Sequence, residues 1–479
     1  MEVDSRLRGN DKNDMKILYF GGGFVGACSA AVSADSGHEV LVYDINQELV
    51  KGLSSGDKDK IEACLFEKGL GDLIIRNQDR IKFTSDLKEV EKIINEVEVV
   101  FMCLPTPEKD GTGETNLKIY EAAATTLSEV LVKRNNNEQN QYVLIINKST
   151  VPIDMINRTK EIMLAAGVKN FGVGSNPEFL VEGKAIEGSI RPPRVVVGAE
   201  SEKDFAIFRN VYSRFVESAN ISYLEVSPAE AEAGKLLANY ILFSRLANCF
   251  DVVGRVCEKF DGLQFENVRK VLITDGRIGE WGFYDSLFAG GSCFIKDARS
   301  LSHQLKVKDA KADLVDDVLA ANQRQLDNFL IRAEAEFNFN WSGKTVGLLG
   351  LAFKQDTNDI RNSAALGTAE FLLNKGVSQI KAYDPVAGAN FIKYFSDNKD
   401  VNKINLVANE IEAISKVDIL IIATDWPQFR GLYDLINENL PKGAIIMDGR
   451  RMLVQKYEAL SNDGYNVIAV GSLMIKAKV

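Results

Sequence analysis

The sequence predicts an α/β protein: two doubly wound parallel-sheet domains joined by a helical region. Three observations predict it. Strand-length apolar runs alternate with helix-compatible segments through the first half of the chain. Strand signals then vanish between Pro228 and about Phe337. They resume at "SGKTVGLLGLAF", residues 342 to 353, and continue to the end. Strands that alternate with helices need crossover connections, which make parallel sheets.

Taken in order, "MKILYFGGGFVGACSAAVSADSGHEVLVYD" reads as strand, glycine turn, helix and strand. The first apolar run is Ile17 to Phe20, small residues then allow a helix to pack closely on the sheet, and Val40 to Tyr43 forms the next strand, ending at Asp44. "VEVVFMCL" (97 to 104), "YVLIIN" (142 to 147), "FGVGSNP" and "RVVVG" supply further strands. "EAGKLLANYILFSRLANCFDVVGRVCEKF" is apolar almost all round, as a buried helix requires. "IKAYDP", "VDILIIATDW", "GAIIMDGR" and "YNVIAVG" complete the second α/β half. The expected division is 15–225, 226–337 and 338–479. The polar residues 1–14 lack the apolar core of a signal peptide and are expected to be a disordered extension.

Composition narrows the function. The 479 residues suggest roughly three domains at about 150 each. A net charge of −10 argues against a nucleic-acid or anionic-membrane footprint, so cations for an anionic ligand must be gathered locally. The six cysteines show no C-x-x-C pairing and read as reduced thiols of a cytoplasmic protein. Two histidines, far apart, leave a histidine-built metal site or a Ser-His-Asp triad without material, and no metal is expected. The nearest approach to a membrane span, Leu236 to Val256, is interrupted by Asn239, Arg245, Asn248 and Asp251.

Gly21-Gly22-Gly23-Phe24-Val25-Gly26 fits G-x-G-x-x-G between a strand and a helix, with an acid at the end of the following strand. This is the dinucleotide fingerprint of a Rossmann-like fold. Glycine at Gly21, Gly23 and Gly26 lets backbone N–H groups approach a pyrophosphate, and Asp44 is suited to a ribose 2′-OH. The acid disfavours a 2′-phosphate, which points to NAD over NADP. Cys293 in "FAGGSCFIKDARS" stands at the mouth of an expected helix, with Lys296 and Asp297 in its first turn. A thiol so placed suits a thiolate nucleophile. "NKSTVP" also reads as a capped strand end, "SNPEFLVEGKAIEG" as a solvated loop, and Lys235, four residues before Asn239 on the apolar helix, as a lysine that reaches the helix end.

"GGGFVG", "LPTP", "NKSTVP", "SNPEFLVEGKAI", "EAGKLLAN", "DGRIG", "GGSCFIKDARSL", "GLAFKQDTNDIRNS" and "DGRRML" occur in one order. This set closely resembles the nucleotide-sugar 6-dehydrogenases of the UDP-glucose/GDP-mannose dehydrogenase family, from about Met15 to Arg451. The resemblance implies two Rossmann-like domains joined by helices. It also implies four-electron oxidation of a sugar C6 alcohol to a carboxylate with NAD. UDP-glucose is the expected substrate. GDP-mannose and UDP-N-acetylhexosamines are the alternatives, and a catalytically silent nucleotide-sugar binder is a remote one.

By the same resemblance Cys293 is the nucleophile that carries a thiohemiacetal and then a thioester. Lys235 and Asn239 stabilise oxyanion charge, Asp297 and Thr150 position a water and the lysine, and Glu178 is the base for thioester hydrolysis. Phe24, Val25, Thr106, Ser149, Val151, Glu182, Lys296 and Arg361 join the glycines and Asp44 in cofactor binding. Phe179, Leu180, Glu182, Lys235, Asn239, Arg277, Gly290, Phe353, Lys354 and Arg450 bind substrate, with Arg277 reaching a neighbouring subunit's site. The resemblance thus implies a homodimer or larger homo-oligomer, and no nucleic-acid or membrane partner. The chain departs from the family pattern at Leu49, Pro192-Pro193-Arg194, Phe250-Asp251 and Phe288-Ala289, most of which concern substrate or cofactor walls rather than chemistry.

Overall fold

A computed structural model describes residues 14–109, 111–136, 141–216, 218, 220–284 and 286–478. Apart from Asp14, the expected N-terminal extension lies outside the described residues. The chain divides into two compact units between Ala238 and Asn239.

The first unit holds an eight-stranded sheet. Its strands are β1 (Lys16–Phe20), β2 (Glu39–Tyr43), β3 (Ile81–Thr84), β4 (Val99–Met102), β5 (Val143–Asn147), β6 (Phe171–Ser175), β7 (Arg194–Gly198) and β8 (Ser222–Val226). Their order is β3-β2-β1-β4-β5-β6-β7-β8, parallel except where β6 meets β7. The central strands are continuous apolar runs because helices cover both faces. Side chains alternate between them: Ile17, Tyr19, Val99 and Phe101 join one core, and Leu18, Phe20, Val100 and Met102 the other. The helix Phe24–Asp35 packs on the first face, using Ala27, Ala30, Ala31 and Ala34 to come close.

The second unit repeats the plan. Strands β9 (Thr345–Leu349), β10 (Gln379–Tyr383), β11 (Ile404–Leu406), β12 (Ile419–Ile422), β13 (Ile445–Asp448) and β14 (Asn466–Ala469) lie in the order β11-β10-β9-β12-β13-β14, all parallel. Val346, Leu348, Ile419 and Ile421 face one core, and Leu349, Leu420, Ile422 and Ile446 the other. Both sheets thus share the order third-second-first-fourth-fifth-sixth. The correspondence extends to the first turn. Gly21 (φ +109°) and Gly350 (φ +87°) each follow the first strand. Each donates its N–H at 2.8 Å to the last carbonyl of the second strand, Tyr43 and Tyr383 respectively. An aspartate, Asp44 or Asp384, follows that carbonyl.

Helices separate the two sheets in sequence, as expected. The longest are Pro228–Asn248, prolonged by a π-helical stretch Cys249–Gly254, and Asp313–Phe337. By length and composition alone the continuous helix Pro228–Lys259 is long and apolar enough to cross a bilayer. It carries buried polar groups, however, including Lys235 and Asn239. Among the described residues the cysteines are unpaired by disulfides.

Candidate active site

In a sheet of this order, ligands bind beyond the carboxyl ends of the strands where the first and fourth strands diverge. In the first unit those ends carry the glycine loop, Asp44, Cys103 to Thr106, Lys148 to Val151 and Asn176 to Leu180. A Cβ on Gly21 would lie 2.1 Å from the Cys103 carbonyl oxygen, and one on Gly26 would lie 1.9 Å from the Gly21 carbonyl oxygen. Only glycine lets strand, loop and helix pack so tightly. A Cβ on Gly23 would meet nothing within 4 Å, so its open side is free for a ligand. Gly23 caps the helix Phe24–Asp35 without a side-chain bond, which leaves first-turn N–H groups for an anion. Asp44 accepts from the Gly22 N–H at 2.6 Å and the Asn46 N–H at 2.8 Å, fixing its carboxylate with acceptor capacity to spare. These residues fit a dinucleotide with an unphosphorylated ribose.

Neighbouring strand ends are tied together. Ser149 Oγ donates to the Leu104 carbonyl and accepts from the Leu104 N–H, each at 2.7 Å. Thr106 Oγ1 donates to the Thr150 carbonyl at 2.6 Å. Val151 is buried in the core.

The segment after β6 brings Glu178 and Phe179 to Lys235. The Lys235 ammonium lies 3.3 Å from Glu178 Oε1 and 5.2 Å from the Phe179 ring centre, and Arg194 stacks on that ring at 3.9 Å. Lys235 is 4% exposed, and Glu178 and the ring offset the cost of burying its ammonium. Glu178 Oε2 also accepts from the Leu180 N–H at 2.5 Å. Glu182 lies in the turn that follows, beside Glu67. Glu67, 1% exposed, accepts from the Gly183 and Ile186 N–H groups, each at 3.1 Å. Burial raises the Glu67 carboxyl against the opposing pull of those amides.

In the second unit Cys293 caps the helix Phe294–Val307 and is exposed. The Ser292 hydroxyl lies 3.7 Å from its sulfur. Asp297, in the first turn and 1% exposed, accepts from Asn239 Nδ2 at 2.6 Å and pairs with Lys296 at 2.6 Å. The loop before the cysteine is strapped to the turn after β9. Gly291 donates to the Arg361 carbonyl at 3.0 Å, Asn362 Nδ2 donates to the Gly291 carbonyl at 3.1 Å, and a Cβ on Gly290 would meet the Asn362 carbonyl oxygen at 2.3 Å. Phe353 packs against both glycines, with the Lys354 ammonium 5.4 Å from its ring centre. Arg450 donates to Ser286 Oγ at 2.7 Å and pairs with Asp425 at 2.8 Å. Burial alone would raise the Asp425 carboxyl, but the guanidinium holds it below its ordinary value.

Two of the expected arginines are held by neighbouring aspartates. Arg277 is almost wholly exposed and is gripped by Asp275, while the exposed Arg361 side chain is gripped by Asp359. Asp384 differs from Asp44 in being saturated. It accepts from the N–H groups of Leu351, Ala352, Val386 and Ala387 and from the Trp426 indole, at 2.7 to 3.1 Å. Sequence reasoning singled out neither Glu67 nor Lys148, Asn176, Ser286 or Asp425 as site residues. Lys148 and Asn176 lie within quoted motifs but away from the residues that carry them, Glu67 lies in no motif, and the partners of all five lie far along the chain.

The chain matches the three domain models of the UDP-glucose/GDP-mannose dehydrogenase family. The NAD-binding domain matches over residues 15–216, the central domain over 229–324 and the UDP-binding domain over 347–455. It is 31% identical over 457 residues to UDP-glucose 6-dehydrogenase AglM of Haloferax volcanii, covering 93% of this chain and 100% of that protein. It is 32% identical over 424 residues to UDP-glucose 6-dehydrogenase of Pseudomonas aeruginosa, covering 87% and 89%. A UDP-glucose dehydrogenase structure from Pyrobaculum islandicum superposes with a TM-score of 0.83 at 27% identity, covering 97% and 99%.

Proposed function

Because the chain belongs to the UDP-glucose/GDP-mannose dehydrogenase family and is an NAD-dependent nucleotide-sugar dehydrogenase, we propose that it oxidises UDP-glucose to UDP-glucuronate through Cys293. The observation that carries this reading is the exposed thiol at the mouth of a helix, with Lys296 and Asp297 in its first turn and Asn239, from the helix Pro228–Asn248, bonded to Asp297. An alcohol surrenders one hydride directly. The aldehyde must first become a tetrahedral adduct to surrender another, and a thiolate forms that adduct. Bound NAD⁺ supplies the hydride acceptor, two electrons at a time.

The chain's own groups do the rest. The hydroxyl proton leaves to a water positioned by Asp297 and Thr150. The Cys293 thiolate adds to the aldehyde carbon, and Lys235 and Asn239 stabilise the alkoxide. The second oxidation leaves a thioester. Water then adds to the acyl carbon, Glu178 takes its proton, and the C–S bond breaks with its electron pair on sulfur. Gly21, Gly23, Phe24, Val25, Gly26 and Asp44 hold the cofactor, with Thr106, Ser149, Val151, Glu182, Lys296 and Arg361. Phe179, Leu180, Gly290, Phe353, Lys354 and Arg450 shape the sugar and diphosphate site, and Arg277 completes that of a neighbouring copy. NAD belongs to 15–225, the nucleotide to 338–479, and self-association to 226–337. Ile241, Val252, Val256 and Phe260 support an interface there, since each keeps 40% or more of its surface exposed on one continuous helix and its end. The reduced thiols support a cytoplasmic setting.

The test is a panel of UDP-glucose, GDP-mannose and UDP-N-acetylhexosamines with NAD⁺, counting NADH per sugar. UDP-glucose should give the highest kcat/KM, with two NADH each. One NADH per sugar would defeat the thiol mechanism, and preference for another sugar would move the substrate.

A further inference from the structure

Lys148 is a buried cation with no carboxylate within ion-pairing distance among the described residues. It is 7% exposed, donates to Asn176 Oδ1 at 2.7 Å and reaches the Asn176 carbonyl at 3.4 Å. An ammonium carries three donors; both hydrogen bonds go to one residue, and the Phe101 ring centre lies 5.8 Å away. A donor left over at such depth needs an acceptor, because an unmet buried charge is costly. Beside it lies a cavity of about 80 Å³, walled in part by Tyr19, Ser33, Lys148, Asn176, Glu178 and Tyr212. Most of its wall is apolar, from residues such as Val32, Leu180 and Phe215, but it includes a polar strip: Tyr212 donates to Asn176 Oδ1 at 2.5 Å, and the Tyr19 and Ser33 hydroxyls bond each other at 2.7 Å. A cavity needs about 10–15 Å³ of such space to hold one water, and that water needs polar partners.

We propose that this cavity holds the waters through which Glu178 passes its proton to solvent during hydrolysis, with Lys148 as the positioning residue that orders them. The inference rests on the proposed thiol mechanism. Hydrolysis forms a C–O bond from water to the acyl carbon and breaks the C–S bond. The water's proton goes to Glu178 and has to leave before the next cycle. Lys148 holds the first water of the exit path by its spare N–H, and the Asn176, Tyr212 and Ser33 groups continue the path. Burial lowers the Lys148 pKa, and the Cys103 thiol and Glu178 oppose that shift. No earlier step uses this path.

The test uses the whole enzyme with UDP-glucose and NAD⁺, comparing the parent with Lys148→Met and Tyr212→Phe. Rapid-quench NADH counting and intact-protein mass spectrometry are the readouts. Lys148→Met should release its first two NADH within about threefold of the parental rate. It should then stall, with kcat down by about 10²-fold and an acyl adduct on the protein. Tyr212→Phe should show the same adduct with a loss of about tenfold. Parental kcat in both variants, or slow first NADH without adduct, overturns the inference. If Lys148→Met does not fold, Tyr212→Phe decides alone. A parent that yields one NADH per sugar defeats the thiol mechanism. A parent that yields two, with no adduct in either variant, defeats only this inference.

Discussion

Adding one methyl group to the glycine loop separates its packing role from its binding role. In Gly26→Ala the new Cβ would lie 1.9 Å from the Gly21 carbonyl oxygen and 3.2 Å from Cys103 Cβ, where ordinary contact begins near 3.4 Å. The first clash is with backbone, so no rotamer change relieves it and the helix Phe24–Asp35 must move off β1. Overpacking of this kind costs about 1–3 kcal/mol. At roughly 2–4 °C per kcal/mol for a unit of this size, Tm should fall by about 2–12 °C. Displaced first-turn N–H groups should also weaken NADH binding by about tenfold or more. Gly23→Ala is the control: its Cβ meets nothing within 4 Å in the protein, so Tm should hold while the methyl blocks the ligand's approach. Thermal unfolding without ligand and fluorescence titration with NADH measure the two effects. An unchanged Tm in Gly26→Ala, or parental NADH affinity in Gly23→Ala, would refute the assignment.

Cys293→Ser replaces a thiolate with a hydroxyl that stays protonated, and steady turnover should drop by ~10³-fold or more; parental rates with two NADH per sugar would leave the thiol a structural one. Asp44 should hold kcat/KM for NAD⁺ at least about tenfold above that for NADP⁺, and equal values would contradict its contact with the ribose. Burial pushes the Glu232 carboxyl from 4.5 up to about 8, against hydrogen bonds from backbone amides such as that of Met155. Between those values the folded state keeps a proton that the unfolded chain has lost, so stability should fall as pH rises from about 5 to 8. Glu232→Gln should flatten that slope in urea unfolding, and an unaltered slope would count against the buried acid. Ile241→Glu with Val256→Glu should split the proposed homo-oligomer in light scattering; an unaltered mass would direct attention to another surface.

Most of the architecture is legible because central strands of parallel sheets are uninterrupted apolar runs. The strands that escaped, Ile81–Thr84, Ser222–Val226 and Ile404–Leu406, are all edges of their sheets. Ile81–Thr84 and Ile404–Leu406 are short and half-solvated, and Ser222–Val226, though five residues long, buries none of its side chains, so these sequences carry little signal. The site divides in the same way. The glycine loop, Asp44 and Cys293 are legible because each acts within a few residues of its own turn. Glu67 is not, since the N–H groups it holds lie 116 and 119 residues away. Nor is Lys148, whose surroundings are made by β6 and by Tyr212.

The matched pair of turns bears on timing. Asp384 spends its acceptors on five donors of its own domain, whereas Asp44 keeps capacity for a sugar hydroxyl. Among the described residues a chain therefore offers one seat for a dinucleotide, while the proposed reaction consumes two. The first reduced molecule has to depart and a fresh oxidised one arrive while the sugar is half finished. An aldehyde held only by weak contacts would escape during that exchange. In that proposed reaction the sulfur of Cys293 would be a mooring as well as an attacking group, and the lifetime of the C–S bond, set against the dinucleotide's dwell time, would decide whether a turnover is completed or abandoned.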